Sequence, residues 1–313
     1  MLTFIVRRLL TGVVLLAAIT TVGFVLLYLG SGDIASNILG EGASPETIAQ
    51  KQAELGLDQP VLIQYGHWLR DTFRGDLGAS WFSGEPVASA ISTRLAVTLS
   101  LVAGAVVLIA VVSLVLGLAA ATQRGWVDRL CQFISLLGHA IPNFLFAVAL
   151  VLLFALTLGL FQPTGFVPFL TSPSGWLSTI TLPVVALSLG GIASVSQQIR
   201  GATIDALRND YVRTLRSRGL SERRVVLKHV LRNAAGPAIA VLAVTFVGLV
   251  GGAVIIEQVF AIPGLGQIAV QATTTGDIPI VMGLLVAVGI IVIVFNLLVD
   301  LFQGWLNPKV RLS

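Results

Sequence analysis

Long runs without charged side chains dominate the pattern of polar and apolar positions along this chain. These runs cover residues 9–32, 95–123, 130–199, 233–256, 258–276 and 278–299. A helix needs about 20 apolar residues to cross the roughly 30 Å hydrocarbon core of a bilayer, and most of the runs reach that length. The pattern therefore predicts an all-α membrane protein with six transmembrane helices.

Proline and glycine decide where the longest runs are divided. Residues 130–199 are too many for one crossing, and prolines with interspersed glycines between Phe161 and Pro183 break helices there. Residues 258–277 hold Pro263 and three glycines, which indicates a loop or re-entrant turn. The predicted spans are residues 9–29, 95–121, 132–160, 176–198, 236–256 and 279–300.

The polar segment after the first span has its own helix-start signal, because Ser44 precedes Pro45. The first run is longer than the 7–15 residues typical of a signal-peptide core, so we interpret it as a retained helix. The chain then divides into an N-terminal transmembrane helix (1–30), an extracytoplasmic loop with short helices (31–94) and a core domain (95–313). The core domain carries the other five spans and a charged loop at about 202–232.

The distribution of charged residues adds a prediction of how the chain is oriented in the membrane. Only 11% of the residues are charged, against roughly 25% in soluble domains. Lys and Arg gather before the first span, in the second and fourth loops and in the tail, and they are absent from the third and fifth loops. The basic positions include Arg7, Arg8, Arg124, Arg129, Lys309 and Arg311. This alternation predicts a multi-pass protein of the cell inner membrane with both termini in the cytoplasm.

The sequence lacks the motifs of several classes of enzyme and of nucleotide- and metal-binding protein. A P-loop needs Gly followed by Lys, and neither Lys51, Lys228 nor Lys309 follows a glycine. HExxH and GxSxG are absent, and the three histidines are far apart, so we expect no catalytic residue, no metal site and no cofactor bound by this chain. The basic residues flank apolar segments, which argues against a nucleic-acid partner.

The charged segment between the fourth and fifth predicted spans holds the strongest positive signal. Its pattern predicts one helix from about Ala202 to Arg218, a left-handed Gly219, and a second helix capped by Ser221. Apolar positions fall near one face of the first helix: Leu207, Tyr211, Thr214 and Leu215. Spacing alone fits equally a rigid docking loop and a basic amphipathic hairpin resting on anionic lipid.

Several short motifs carry a family resemblance. The eleven residues Asp210 to Leu220 resemble the D-Y-V-R-T-A-R-A-K-G-L segment of the dipeptide/oligopeptide/nickel family of ABC-importer permeases, and in particular its B-type dipeptide permease subunits. Further stretches are similar to family motifs in the same order: Gly32-Asp33, 54–60, 74–78, 257–266, 276–279, 296–300 and Asn307-Pro308. The resemblance covers nearly the whole chain.

The resemblance implies a type I ABC-importer permease architecture with a cytoplasmic coupling-helix loop. It implies a subunit that forms half of the pathway of an ATP-driven importer for di- or oligopeptides, while nickel or another small solute stays open as the substrate. The implied partners are a second homologous permease subunit, two ABC ATPase subunits that bind ATP and magnesium, an extracytoplasmic solute-binding protein, and membrane lipid. The implied coupling residues are Asp210, Tyr211, Arg213, Leu215, Arg216, Arg218, Gly219 and Leu220.

Polar residues inside or next to the spans are candidates for the translocation path, namely His139, Asn143 and Glu257. For His139 and Asn143, hydrogen bonding between helices is the alternative. Glu257 ends the fifth predicted span, where solvation is the simpler interpretation. A self-contained secondary transporter is the rival function, and the lack of an evident repeat and of charges within the spans argues against it. The first loop is expected to contact the solute-binding protein or to cap the pathway.

Overall fold

The computed structural model describes residues 2–30, 34–40, 42–123 and 125–306, which form helices and one isolated β-bridge. The helices are α1 Leu2–Gly30, α2 Ile34–Leu39, α3 Pro45–Glu54, α4 Val61–Phe73, α5 Val87–Gln123, α6 Trp126–Ala140, α7 Asn143–Leu150, α8 Pro173–Leu207, α9 Asp210–Ser217, α10 Glu222–Arg224, α11 Leu231–Val259, α12 Leu265–Thr275 and α13 Ile278–Leu306. Predicted features at Gly32-Asp33, Arg124, Asn307-Pro308, Lys309 and Arg311 lie outside the described residues.

Five of the six predicted spans are continuous helices long and apolar enough to cross a membrane. They lie in α1, α5, α8, the helix from Glu222 to Val259, and α13. The third predicted span, 132–160, is different, because α6 and α7 meet at an angle of 101°. Counting that bent pair as one span gives six within the described residues, so the helical membrane fold with six spans is confirmed.

The bend between α6 and α7 corrects the prediction of one straight helix over residues 132–160. Ile141 adopts an extended conformation with φ −90° and ψ 119°, and Pro142 follows it. A residue before proline is disfavoured in the helical region, and proline cannot donate the backbone hydrogen bond that would continue the ladder. Pro183 and Pro237 lie inside α8 and α11 without ending either helix.

Two segments of the described part of the chain are π-helical. Val151–Thr157 continues α7, and Val225–Val230 joins α10 to α11. A π-helix closes hydrogen bonds from residue i to i+5 and is rare outside single turns. Residues 258–277, predicted as a loop, contain the eleven-residue helix α12, which ends at Gly276 in the left-handed conformation with φ +79°.

One compact unit comprises Leu2–Ala96 and Pro263–Ile293. Its core includes one cluster around Val87, Ile280 and Leu284, and a second around Phe24 and Met282. The predicted helix start is confirmed, since Ser44 Oγ accepts a hydrogen bond from Thr47 N at 3.2 Å. Buried Asp277 accepts hydrogen bonds from Ser80 Oγ and from Trp81 N, which fixes the end of the first loop beside the start of α13.

The other compact unit comprises Val97–Ile262 and the C-terminal residues from Val294. Helices α6, α7 and α11 all contact α8, and 61% of the most apolar window of α8 is buried, against at most 33% in the other continuous spans. Small residues permit this packing: a side chain at Gly117 would meet Ile199 and the carbonyl of Ser196 within 2.8 Å. Helix α8 is therefore the centre of this unit.

Candidate functional site

The loop between α8 and α11 begins with a break that the sequence did not predict. Helix α8 ends at Leu207, and α9 begins at Asp210, so the expected helix from Ala202 to Arg218 is two helices. Asn209 precedes α9 with an extended backbone at φ −70° and ψ 148°. The break lets α9 leave the direction of α8 instead of extending it.

The turn at Gly219 has the geometry that the sequence predicts. Gly219 has φ +79°, in the left-handed region that favours glycine. Its N–H bonds to the carbonyl of Arg216 at 2.9 Å, and the N–H of Leu220 bonds to the carbonyl of Leu215 at 3.3 Å. Those two bonds form a Schellman motif, which satisfies the last carbonyls of α9. Ser221 occupies the N-cap position of α10, but its side chain makes no capping hydrogen bond.

An apolar cluster makes the loop a packed unit. Its buried members are Ala206, Val212, Val225 and Val230, and its partly buried members are Leu207, Tyr211, Leu215 and Leu220. Tyr211 is held further by a 2.9 Å hydrogen bond from Asn233 Nδ2 to its hydroxyl. Thr214, predicted on the apolar face, is exposed. Val212 takes the central position instead, and its spacing of three residues from Leu215 is the signal that could have identified it.

The charged side chains of the loop point in part to each other and in part to solvent. Arg216 donates to both carboxylate oxygens of Glu222 at 2.5 and 3.0 Å, and this hydrogen bonding raises the pKa of Arg216. Arg213 and Asp210 are more than 80% exposed and lie 3.6 Å apart. Arg218 is exposed as well. Asp210, Arg213 and Arg218 are therefore the predicted charged residues that stay available to a partner.

A second candidate region is a cavity of about 410 Å³ beside α6 and α8. Its lining combines polar and apolar side chains: Gln132, Phe133, Ser135, Leu136, His139 and Gln197. His139 Nδ1 lies 2.9 Å from the carbonyl of Ser135, so that nitrogen carries a proton and donates. Its Nε2 lies 3.1 Å from Ser194 Oγ of α8. His139 thus both joins two helices and borders the cavity.

The structure does not bring the three predicted path residues together around this cavity. Asn143 lies beyond the bend, at the start of α7, and is not among the lining residues. Glu257 is fully buried in α11, where it accepts a 2.6 Å hydrogen bond from Thr98 Oγ1. The expectation that Glu257 is solvated is wrong, because its carboxylate is hydrogen-bonded inside the helix packing.

An ion pair between α6 and α8 was not predicted from the sequence. Arg200 Nε and Nη2 donate to the two carboxylate oxygens of Asp128 at 2.6 and 2.8 Å, and Gln132 Nε2 donates to the same carboxylate at 2.9 Å. The two side chains are 26% and 18% exposed. The available signal was their position, since Asp128 lies two residues before the longest charge-free run and Arg200 directly follows it. Within the described residues, no three His, Cys, Asp or Glu side chains gather to hold a metal.

Comparison with known proteins places these features in a family. A permease protein of a peptide transport system from Brucella abortus is 42% identical over 96% of this chain and 95% of its own length. The dipeptide permease DppB of Alkalihalophilus pseudofirmus is 32% identical over 99% of this chain and 100% of its own. The glutathione permease GsiC of Escherichia coli O6:H1 is 33% identical over 99% of each chain.

Solved structures support the same fold. A chain of the methionine ABC transporter MetNI, in inward-facing conformations, matches with a TM-score of 0.53 at 18% identity, over 67% of this chain and 93% of its own. Residues 1–102 match the N-terminal model of binding-protein-dependent transport membrane components, and residues 113–312 match the main model. The chain belongs to the family of binding-protein-dependent transport system inner membrane components, whose members are permeases of ABC transporters.

Proposed function

We propose that this chain is the permease subunit of an ATP-driven importer for di- or oligopeptides. The observation that carries the proposal is the loop around Gly219, a compact two-helix element joined at both ends to membrane-spanning helices. Its packed cluster and Schellman turn make it stiff enough to transmit a displacement. Peptide as the substrate rests on relatives whose names specify peptide, dipeptide or glutathione transport.

The proposed assembly contains a second homologous permease subunit, two ABC ATPase subunits and an extracytoplasmic solute-binding protein. Asp210, Arg213 and Arg218 are exposed and offer charges of both signs to an ATPase surface. Charges at an interface rim chiefly steer association, so the rigid turn matters more for coupling than any one of them. Closure of the ATPases on ATP moves the loop, and the loop moves the helices attached to it.

The cavity beside α6 and α8 is the best candidate for a stretch of the pathway. A peptide carries amide donors and acceptors, and Gln132, His139 and Gln197 offer complementary groups within an otherwise apolar wall. Of the predicted path residues, His139 is the one that lines this cavity. Helices α2 and α3 of the first loop are proposed to contact the solute-binding protein.

Reconstitution tests the proposed function directly. The chain is assembled with its partner subunits in vesicles, and uptake of a labelled dipeptide is measured with and without ATP. Labelled nickel ions and glutathione serve as competing substrates. ATP-dependent dipeptide uptake is expected; nickel uptake without peptide uptake would contradict the substrate, and uptake by the isolated chain without ATPases would contradict the mechanism.

The proposed orientation has its own test. Single cysteines at Ser172, Thr274 and Ser217, introduced after replacing Cys131 with serine, are treated with an impermeant thiol reagent in whole cells. We expect labelling at the first two positions and none at Ser217, because the basic loop containing Ser217 is proposed to be cytoplasmic. The reversed pattern would overturn the topology.

A further inference from the structure

The cavity beside α6 and α8 extends into the membrane-embedded part of α8. His139, which lines the cavity, lies 3.1 Å from Ser194 Oγ. Ser194 precedes Arg200, the first charged residue of α8, by six residues, or about 9 Å of helix. Gln132 lies seven residues before His139 on the same face of α6, and Gln197 of α8 also lines the cavity. Polar side chains within a membrane span are by default functional candidates.

Two polar residues of the lining use their hydrogen-bonding groups within the fold. Ser135 Oγ donates to a backbone carbonyl of its own helix at 2.9 Å. Both ring nitrogens of His139 are engaged, one by the carbonyl of Ser135 and the other by the Ser194 hydroxyl. His139 can therefore contact a ligand only by sharing these bonds. The amides of Gln132 and Gln197 carry the hydrogen-bonding groups of the lining that remain for a ligand.

The side-chain amide of Gln132 has a fixed orientation, because one of its ends is held by Asp128. Gln132 Nε2 donates to Asp128 Oδ1 at 2.9 Å, while Arg200 donates to both oxygens of the same carboxylate. A carboxylate paired with arginine is ionised and only accepts hydrogen bonds, so the amide nitrogen and not its oxygen must face Asp128. Gln132 Oε1 is therefore the end of the amide that is left for a ligand, and it needs a donor.

We propose that Gln132 Oε1 accepts a hydrogen bond from the peptide-bond N–H of the transported peptide. This inference rests on the proposed function, since it assumes that the cavity is part of the peptide pathway. Gln197 supplies an amide donor for the carbonyl of the same peptide. Gln132 is then a specificity-determining residue, and Asp128 is the positioning residue that keeps its acceptor directed to the substrate.

A double-mutant cycle between protein and substrate tests this hydrogen bond. ATP-dependent uptake of alanyl-alanine is compared with uptake of alanyl-N-methylalanine, which lacks the peptide-bond N–H, for the complete transporter with wild-type chain and with Gln132→Leu. The solute-binding protein is the same in all four measurements, so its own preference cancels from the ratio of the ratios. The preference for alanyl-alanine should be about fivefold larger in the wild type than in the variant, as expected for one hydrogen bond.

Gln198→Leu is the matched control for this cycle. Gln198 is the next glutamine of α8, but it is not among the residues that line the cavity. Its replacement should leave the preference between the two peptides unchanged. Gln132→Met, whose unbranched side chain keeps the length of glutamine, takes the place of Gln132→Leu if the leucine variant does not assemble.

Asp128→Ala tests the positioning role. The variant keeps the Gln132 acceptor but removes the carboxylate that orients it, so the preference should fall as it does in Gln132→Leu. A purely structural role would lower the uptake of both peptides by the same factor, and that result would contradict the role of Asp128. Unchanged preference in Gln132→Leu, or an equal change in Gln198→Leu, would overturn the inference. No ATP-dependent uptake of either peptide by the wild type would instead contradict the proposed function itself.

Discussion

The loop around Gly219 and the region where α6 meets α8 each contain a bidentate arginine–carboxylate ion pair, but the two pairs stabilise different kinds of structure. Arg216 and Glu222 are six residues apart and largely exposed, and they close a turn that backbone bonds already define. Asp128 and Arg200 are 72 residues apart and mostly buried, and they join two helices. One region is stabilised mainly by neighbours in sequence, and the other by contacts that only the complete fold creates.

The largest effect on transport should come from the turn, since its backbone geometry has no substitute. Gly219→Val places a β-branched residue at φ +79°, which costs about 1–2 kcal/mol and opposes the turn itself. We expect normal membrane insertion but loss of ATPase binding or of ATP-coupled uptake. Pull-down of the ATPase subunits and uptake in vesicles measure these outcomes.

Gly201→Val is the matched control for that experiment. A side chain would meet open space at both glycines, but Gly201 lies in α8 without a positive φ. The control should therefore retain assembly and transport. If Gly219→Val retains both as well, the loop is a lipid-facing hairpin and the coupling mechanism is wrong.

The second effect concerns the stability that the Asp128–Arg200 ion pair contributes between α6 and α8. Asp128→Asn leaves the Arg200 guanidinium mostly buried without a counter-charge, and we expect a loss of about 1.5–3 kcal/mol, the range for hydrogen bonds to charged groups. The measurement is the thermal unfolding midpoint of the purified complex. Arg129→Gln, at an adjacent exposed position, should leave the midpoint unchanged. A midpoint for Asp128→Asn equal to that of this control would show that the pair does not stabilise the fold.

The smallest effect should come from the exposed pair in the turn. Arg216→Gln removes an ion pair whose side chains are 45% and 58% exposed, and such pairs contribute about 0.2–1 kcal/mol. The difference from the wild type should shrink further at high salt, because exposed charges are screened. Arg213→Gln, which breaks only a 3.6 Å contact, should have no effect. A loss in Arg216→Gln as large as that in Asp128→Asn would invalidate the contrast between the two regions.

The same contrast explains what could be predicted from the sequence. Ser44 and Gly219 were predicted correctly because a cap and a left-handed turn depend on a few neighbouring residues. The central role of Val212 was missed because Val212 lies three residues from Leu215 just as Thr214 lies three residues from Tyr211, and only the packing shows which side faces the cluster.

Long-range features could not be predicted in the same way. Pro142 ends a helix, whereas Pro183 and Pro237 lie inside theirs, and all three stand in apolar surroundings in the sequence. Neighbouring helices decide whether the lost hydrogen bond is tolerated. The Asp128–Arg200 pair likewise depends on how α6 meets α8, which no local pattern specifies.

The π-helical segment Val225–Val230 has a consequence for how this family can vary. Because each π turn holds an extra residue, deleting one residue there would restore an α-helix without removing either flanking helix. The wide turn absorbs that residue, so its deletion would leave the Gly219 loop facing nearly its present direction around the axis of α11, whereas a deletion within α11 itself would rotate the loop by about 100°. The π-helical segment is therefore a place where the connection to α11 can lose one residue while an intact loop still faces its partner.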